Sequence, residues 1–444
     1  MSAVARLSIP AIFLLSLIPA LAFQSDAPVI HVDVRRVLVP VIVTDAKGRP
    51  VNGLKASDFH VFEDEVEQPI ASFTAAVSAA PEEVASAKAH IAVSSSMAAA
   101  ASHTFVICID ALHSAFADSA RTRDALVHVF EKEKAADSQY VLLSIGRQLR
   151  VVQPATGDPN AILARLRNPA VAAAFGGGDA AAFRAELDGL KARMYDFCRQ
   201  CNCSAARDCD SQAQDLKVSL DGQAAHWALL REQFLAQLKS VVEELAKLPT
   251  NRTLILVSDG FSLQPARDYY AVAASFLPKD SRFRTPGPSD LEPGLQAVMK
   301  VASAGNVRID SVDSRGVEQT SGASTSSMDA SSPSDRTLPS VIRHTAPPSR
   351  GGTLLSDMDR QSGSVEFQNG AAMAQLSEAT GGIYYHDGND LLRQFRSALA
   401  DGREYYLLTY VPKNLAVDGK FRRISVDVSG GKLHVRAKSG YWPE

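Results

Sequence analysis

The chain has 444 residues, 46% hydrophobic and 21% charged, enough to bury a sizeable core and to form two or three domains. A formal net charge of -3 without any long basic run excludes general nucleic-acid binding, which depends on neutralising many phosphates.

At the amino terminus Arg6 precedes an apolar stretch from Ile9 to Leu21, broken by Pro10 and Pro19 and ending in Ala20-Leu21-Ala22. That is the pattern of a secretory signal peptide over residues 1–22, cleaved before Phe23. The stretch is shorter than the roughly 20 uninterrupted apolar residues that a membrane span needs, and no later segment is long enough. The expected location is periplasmic or extracellular, with no membrane span after cleavage.

Residues 23–75 alternate and turn like a β region. Val37-Leu-Val-Pro-Val-Ile-Val43 leads into the turn Asp45-Ala-Lys-Gly48, and Asp58-Phe-His-Val-Phe62 leads into an acidic turn before Ile70 to Phe73. Residues 76–102, rich in Ala and Ser, read as a linker. From 103 to 401 strand-like runs near 104–110, 139–146, 253–258, 306–312 and 382–386 alternate with helical stretches such as 119–134, 217–247 and 371–379. This alternation predicts an α/β fold with a doubly wound, mostly parallel sheet covered on both faces. Stretches 170–215 and 318–366 read as insertions into it. The β pattern returns in 402–444, with turns at Asp418-Gly419 and Gly430-Gly431. Sandwich-like β segments are thus expected at both termini, the late strands completing the early sheet.

Two apolar runs, Phe105-Val-Ile-Cys-Ile-Asp110 and Leu254-Ile-Leu-Val-Ser-Asp259-Gly260, each end in an aspartate. Runs of that length read as strands buried on both faces, which places Asp110 and Asp259 at strand carboxyl ends. Ligands of open α/β sheets bind along that edge, and a hard cation is the natural occupant between two carboxylates.

Four of five cysteines crowd together at Cys198, Cys201, Cys203 and Cys209, while Cys108 lies alone in the first apolar run as a small buried residue. In an oxidising compartment the cluster forms two local disulfides, with three connectivities open. A four-thiolate zinc site and a Cys-x-x-Cys redox pair are the rival readings.

Several motifs in order carry a resemblance: Val43-Thr-Asp-Ala-Lys-Gly48, Asp58-Phe-His-Val-Phe-Glu-Asp64, Ser258-Asp-Gly260, Asp313-Ser-Arg-Gly316, Ala379-Thr-Gly-Gly382, Tyr405-Tyr-Leu-Leu-Thr-Tyr410 and Lys438-Ser-Gly-Tyr441. Together they resemble the von Willebrand factor type A-related family of secreted bacterial proteins, across nearly the whole mature chain apart from the two insertions. The resemblance implies a metal-ion-dependent adhesion site with an Asp-x-Ser-x-Ser element, a threonine from a middle loop and a later Asp-Gly. Asp110 and Ser114 hold the outer places of the first element, Asp259 the last, and Thr156 is the threonine candidate; Leu112 stands where the middle serine belongs. The implied ion is Mg2+ or Mn2+, with about six oxygens in octahedral order and one place open for a partner's carboxylate. His113 is a possible inward ligand, although imidazole points to a transition metal. Each residue also has an ordinary reading: strand-end aspartates close turns, and Ser114 and Thr156 suit helix caps.

No catalytic constellation stands out. Gly176-Gly-Gly-Asp179 lacks the Gly-Lys-Ser/Thr of a phosphate loop and reads as a flexible loop, and no Gly-x-Ser-x-Gly elbow surrounds Ser258. The histidines show no metalloenzyme spacing. The expected function is non-enzymatic: a binding or adhesion module that meets an acidic side chain of a protein partner, with a metal-independent scaffold and a zinc or redox protein as alternatives.

Overall fold

The computed structural model describes residues 36–443 apart from 77–102, 134–136, 204–208, 249, 265, 285–289, 317–369 and 387. The signal peptide, the first residues of the β region, all but the start of the linker and the expected insertion at 318–366 lie outside the described residues.

Strands β1 (Val37–Thr44), β2 (Phe59–Glu63), β3 (Val66–Gln68) and β4 (Ile70–Ala76) precede the α/β part. Strands β11 (Tyr405–Tyr410), β12 (Arg422–Val428), β13 (His434–Ala437) and β14 (Gly440–Tyr441) follow it. The two groups interleave: one antiparallel sheet has the order β13-β1-β11-β4, the other β14-β12-β2-β3. Val39, Val41, Leu408 and Tyr410 from the first sheet share a core with Phe59, Val61, Ile424 and Val426 from the second. The buried Glu63 carboxylate accepts the phenol protons of Tyr410 (2.6 Å) and Tyr441 (3.0 Å), which satisfies an otherwise costly group.

The chain between these two groups of strands forms a six-stranded sheet ordered β10-β9-β8-β5-β6-β7. It comprises β5 (His103–Asp110), β6 (Ser138–Ile145), β7 (Leu149–Thr156), β8 (Asn251–Ser258), β9 (Val307–Asp313) and β10 (Tyr384–Tyr385). All neighbours run parallel except the edge pair β6 and β7. The order reverses between β5 and β8, so the crevice at their carboxyl ends is the topological switch point. Every residue of β5 is buried, with Phe105, Ile107 and Ile109 in one apolar layer and Val106 and Cys108 in the other. Burying a side chain such as Phe105 or Ile107 is worth about 1.5–3 kcal/mol, so a strand of this composition is stable only with helices on both sides.

One layer comes from α1 (Phe116–Phe130), α2 (Pro159–Arg167) and α8 (Leu391–Arg403). The other comes from α3 (Gly178–Cys201), α4 (Asp210–Ala246), α5 (Ala266–Phe276), α6 (Glu292–Ala304) and α7, a helix over 370–380. Within the stretch 170–215, Leu190, Met194, Phe197 and Ala213 are buried in this layer, beside Leu220 and Trp227 further along α4. Trp227 Nε1 and the Tyr269 hydroxyl both donate to Glu186.

The end of the α3–α4 hairpin carries two disulfides, Cys198–Cys203 and Cys201–Cys209. All four clustered sulfurs are paired, leaving no thiolate there for zinc, and Cys108 is buried. No helix among the described residues is long and apolar enough to cross a membrane. Because Cys201–Cys209 closes a ring with a sequence separation of 8, replacing both residues with serine should cost about 2–3 kcal/mol through added unfolded-state freedom. Urea denaturation beside the parent chain measures it, and an unchanged midpoint would show that the bridge staples nothing.

Candidate functional site

Strand β5 ends because Asp110 turns its side chain back on the chain. Oδ1 accepts the amides of Leu112 and His113, both at 3.0 Å, closing a tight turn. His113 Nδ1 lies 2.8 Å from Oδ2 and 3.1 Å from Oδ1, and Ser258 Oγ donates to Oδ2 at 2.5 Å. A carboxylate offers about four lone-pair sites, so these four donor groups saturate Asp110, which is fully buried. Since a carboxylate only accepts, His113 Nδ1 is the donor in this contact. Its Nε2 is buried without a hydrogen-bond partner among the described residues, and the ring stacks on Phe261 and meets the Phe234 ring edge-on.

The second carboxylate sits across the switch point. Asp259 Oδ2 accepts the Ala115 amide at 2.7 Å, next to the start of α1, where amides lack helical partners. Oδ1 accepts Ser314 Oγ at 2.6 Å, which ties in the loop after β9. Arg121 of α1 clamps that loop further, donating to Asp118 and to the carbonyls of Ser314 (2.8 Å) and Arg315 (2.6 Å). Burial pushes the Asp259 carboxyl up to about 7, and the adjoining Asp118 carboxyl adds to the rise against the hydrogen bonds from Ser314 and Ala115.

Asp110, Ser114 and Asp259 are thus brought to one edge, all buried. Thr156 is not, which corrects the expected ligand set. The run Val151-Val-Gln-Pro forms the antiparallel edge strand β7 instead of a loop, and Thr156 pairs with Tyr140, itself level with Phe105. That is five residues back from Asp110, roughly 16 Å at about 3.3 Å per residue. There Thr156 Oγ1 accepts the amide of Asp158, the residue that caps α2.

The Gly176-Gly177 segment is pinned, not free. A Cβ on Gly176 would lie 2.7 Å from the Ala111 Cα, one on Gly177 would lie 2.8 Å from the Phe116 Cα, and both have φ above +100°. Ser119 and Ser144 hold the preceding carbonyls of Phe175 and Ala174. This glycine segment lies directly against the 111–116 loop.

These donors do not fit a hard cation. Asp110 has no lone pair to spare, Leu112 is a core side chain, both oxygens of Asp259 are engaged and Thr156 lies at the far edge. Among the described residues no group of three or more His, Cys, Asp or Glu side chains is placed to hold a metal ion. Positive charge comes instead from Arg231 of α4, which is 5% exposed and 4.0 Å from Asp268. Its Nε and Nη1 find no acceptor among the described residues. Nor is the set arranged for nucleophilic catalysis: Ser258 and His113 both bond the same carboxylate, so the imidazole does not stand between serine and aspartate.

Ser258, Ser314, Asp118 and Arg231 escaped the sequence reading. Ser258 and Ser314 lie inside motifs that were noticed, at the ends of β8 and β9, and strand-end position was the available signal. Arg231 is one charge in a 37-residue helix and has no local signature.

No protein-family model matches the chain, and no curated protein does. Among solved structures it is similar to an aerotolerance-related membrane protein from Bacteroides fragilis NCTC 9343 carrying multiple mutations to serine. That likeness has a TM-score of 0.31 and 9% identity over 67% of this chain and 98% of the other.

Asp259 makes the fold respond to pH. Its folded pKa of about 7 lies above the unfolded value, so the folded chain binds the extra proton and the stabilisation is lost as pH rises through about 7. Stability from this group should fall by up to about 1.4 kcal/mol per pH unit between roughly pH 4 and 7, then level off. Asp259→Asn needs no proton; its single oxygen can accept the Ala115 amide while its Nδ2 donates to Ser314 Oγ, which then becomes the acceptor, so the profile should flatten, and parallel melting curves across that range decide it.

Proposed function

We propose that the protein is an exported binding module of the von Willebrand factor type A kind, whose protein partner docks on the upper edge of the six-stranded sheet without a bridging cation. The observation that carries this reading is the saturation of Asp110 by Leu112, His113 and Ser258. Docking through Mg2+ or Mn2+ onto an acidic partner side chain requires open oxygens on that aspartate. The protein's own donors hold the edge in shape instead.

Contact area is supplied by side chains around the buried network. Phe116, the first residue of α1, is 71% exposed, and Leu149 and Val151 on β7 are 40% and 60% exposed. Leu149 pairs with Ile145, which is level with Asp110, so it belongs to the same edge. Exposed apolar side chains along one edge of a rigid frame suit an interaction surface. No group there is disposed for chemistry, and we read the protein as non-enzymatic.

Two measurements test the proposal. Calorimetry with Mg2+ and Mn2+ on chelator-treated mature protein should give no saturable heat; heat that disappears in Asp110→Ala would establish cation-mediated docking instead. Affinity capture from envelope extract of the source cells should survive EDTA and be lost with Phe116→Asp. Capture unaffected by Phe116→Asp would move the interface elsewhere.

A further inference from the structure

At the edge of the six-stranded sheet opposite Asp110, the sandwich strands β1 and β11 meet the amino ends of β8 and β9, and a cleft of about 270 Å3 opens between them. One side is apolar, formed by Leu38, Ile42 and Leu407. The other presents Arg252 and Asn306, and no carboxylate is among the lining residues.

Arg252 donates Nε to the Leu248 carbonyl at 2.6 Å and Nη1 to the Gly305 carbonyl at 2.5 Å, which caps the ends of α4 and α6 and offsets their negative poles. Among the described residues its Nη2 makes no hydrogen bond or ion pair, and the group whose charge acts on the guanidinium is the Tyr405 phenol, which also lines the cleft. Asn306 is oriented from behind. Lys438 Nζ donates to its Oδ1 at 3.2 Å, leaving the amide Nδ2 hydrogens for the cleft. Lys438 is itself 4% exposed, and burial, with no carboxylate to oppose it, pushes its ammonium down to about 8. Arg308, which also lines the cleft, is by contrast occupied by Asp310 and the Asp401 carbonyl.

The polar side carries the hydroxyls and amides of Thr250, Asn251, Thr253 and Tyr405 beside Arg252 and Asn306, and its positive charge faces an apolar wall and meets no carboxylate among the lining residues. We propose that this cleft binds a small monocarboxylate with a short apolar chain, the carboxylate on Arg252 and Asn306 and the chain against Leu38, Ile42 and Leu407. The size limits the ligand to a few carbons, since drug-sized ligands occupy roughly 300–1,000 Å3. The site is independent of the upper edge.

The test titrates the full mature chain with hexanoate, hexan-1-ol and inorganic phosphate, followed by calorimetry or NMR shifts. Saturable binding of hexanoate alone is expected, about tenfold weaker in Arg252→Gln, which loses the charged donor. It should be abolished in Leu407→Trp, which fills the cleft and leaves both helix caps in place, so it decides the matter if Arg252→Gln melts early. Equal binding of hexanol, equal binding of phosphate, no saturable hexanoate binding at millimolar concentration, or hexanoate binding that persists in Leu407→Trp would each overturn the assignment.

Discussion

Two aspartates at neighbouring ends of parallel strands must be buried, and a buried carboxylate is tolerable only when its oxygens are satisfied. Asp110 and Asp259 meet that demand with backbone amides from the 111–116 loop and hydroxyls from Ser258 and Ser314. The entry into α1, the exit from β8 and the loop after β9 are thereby tied together at the switch point. A carboxylate used in this way is a structural joint, and the same bonds that build the joint remove the lone pairs a cation would take.

The opposite edge is joined by other means. Gly381 and Gly382 bring the turn after α7 against the backbone of Lys438 and the carbonyl of Ile309, approaches that no side chain permits. Arg308 spans Asp310 and Asp401, and Arg436 of β13 reaches Asp401 at 3.0 Å, so charged groups from the parallel sheet, α8 and an antiparallel strand share one cluster. Such buried pairs are weak evidence for stability in themselves, but removing one partner leaves an uncompensated charge. The α/β part is therefore polar at both edges and apolar on both faces.

Much of this was readable along the chain. The fully apolar runs at 104–110 and 253–258 became β5 and β8 because only a two-sided environment rewards such composition, and Ser258-Asp-Gly marks a strand end with Gly260 at φ +84°. The boundaries of α1 and α4 shift by a few residues, within ordinary fraying for α1; α4 starts seven residues earlier than expected because Asp210 to Leu216 packs on α3. The stretch 170–215 read as an insertion because alanine, glycine and cysteine mark it off from the apolar runs around it; the helical spacing of Leu190, Met194 and Phe197 is present in the sequence, but the layer they pack into is not. β7 was hidden because an exposed edge strand broken by Pro154 shows no alternation of apolar residues.

By itself the sequence determined the mixed α/β character, the pattern of alternating strands and helices and the placing of Asp110 and Asp259 at strand ends, since these follow from hydrophobic periodicity and turn chemistry, which are local. Only the tertiary structure decided that Thr156 stands at the wrong edge, that the four clustered cysteines pair 198–203 and 201–209, and that Asp110 spends every lone pair within the protein. Those outcomes depend on strand direction and on which side chains from distant segments arrive at one carboxylate, and no local pattern encodes them.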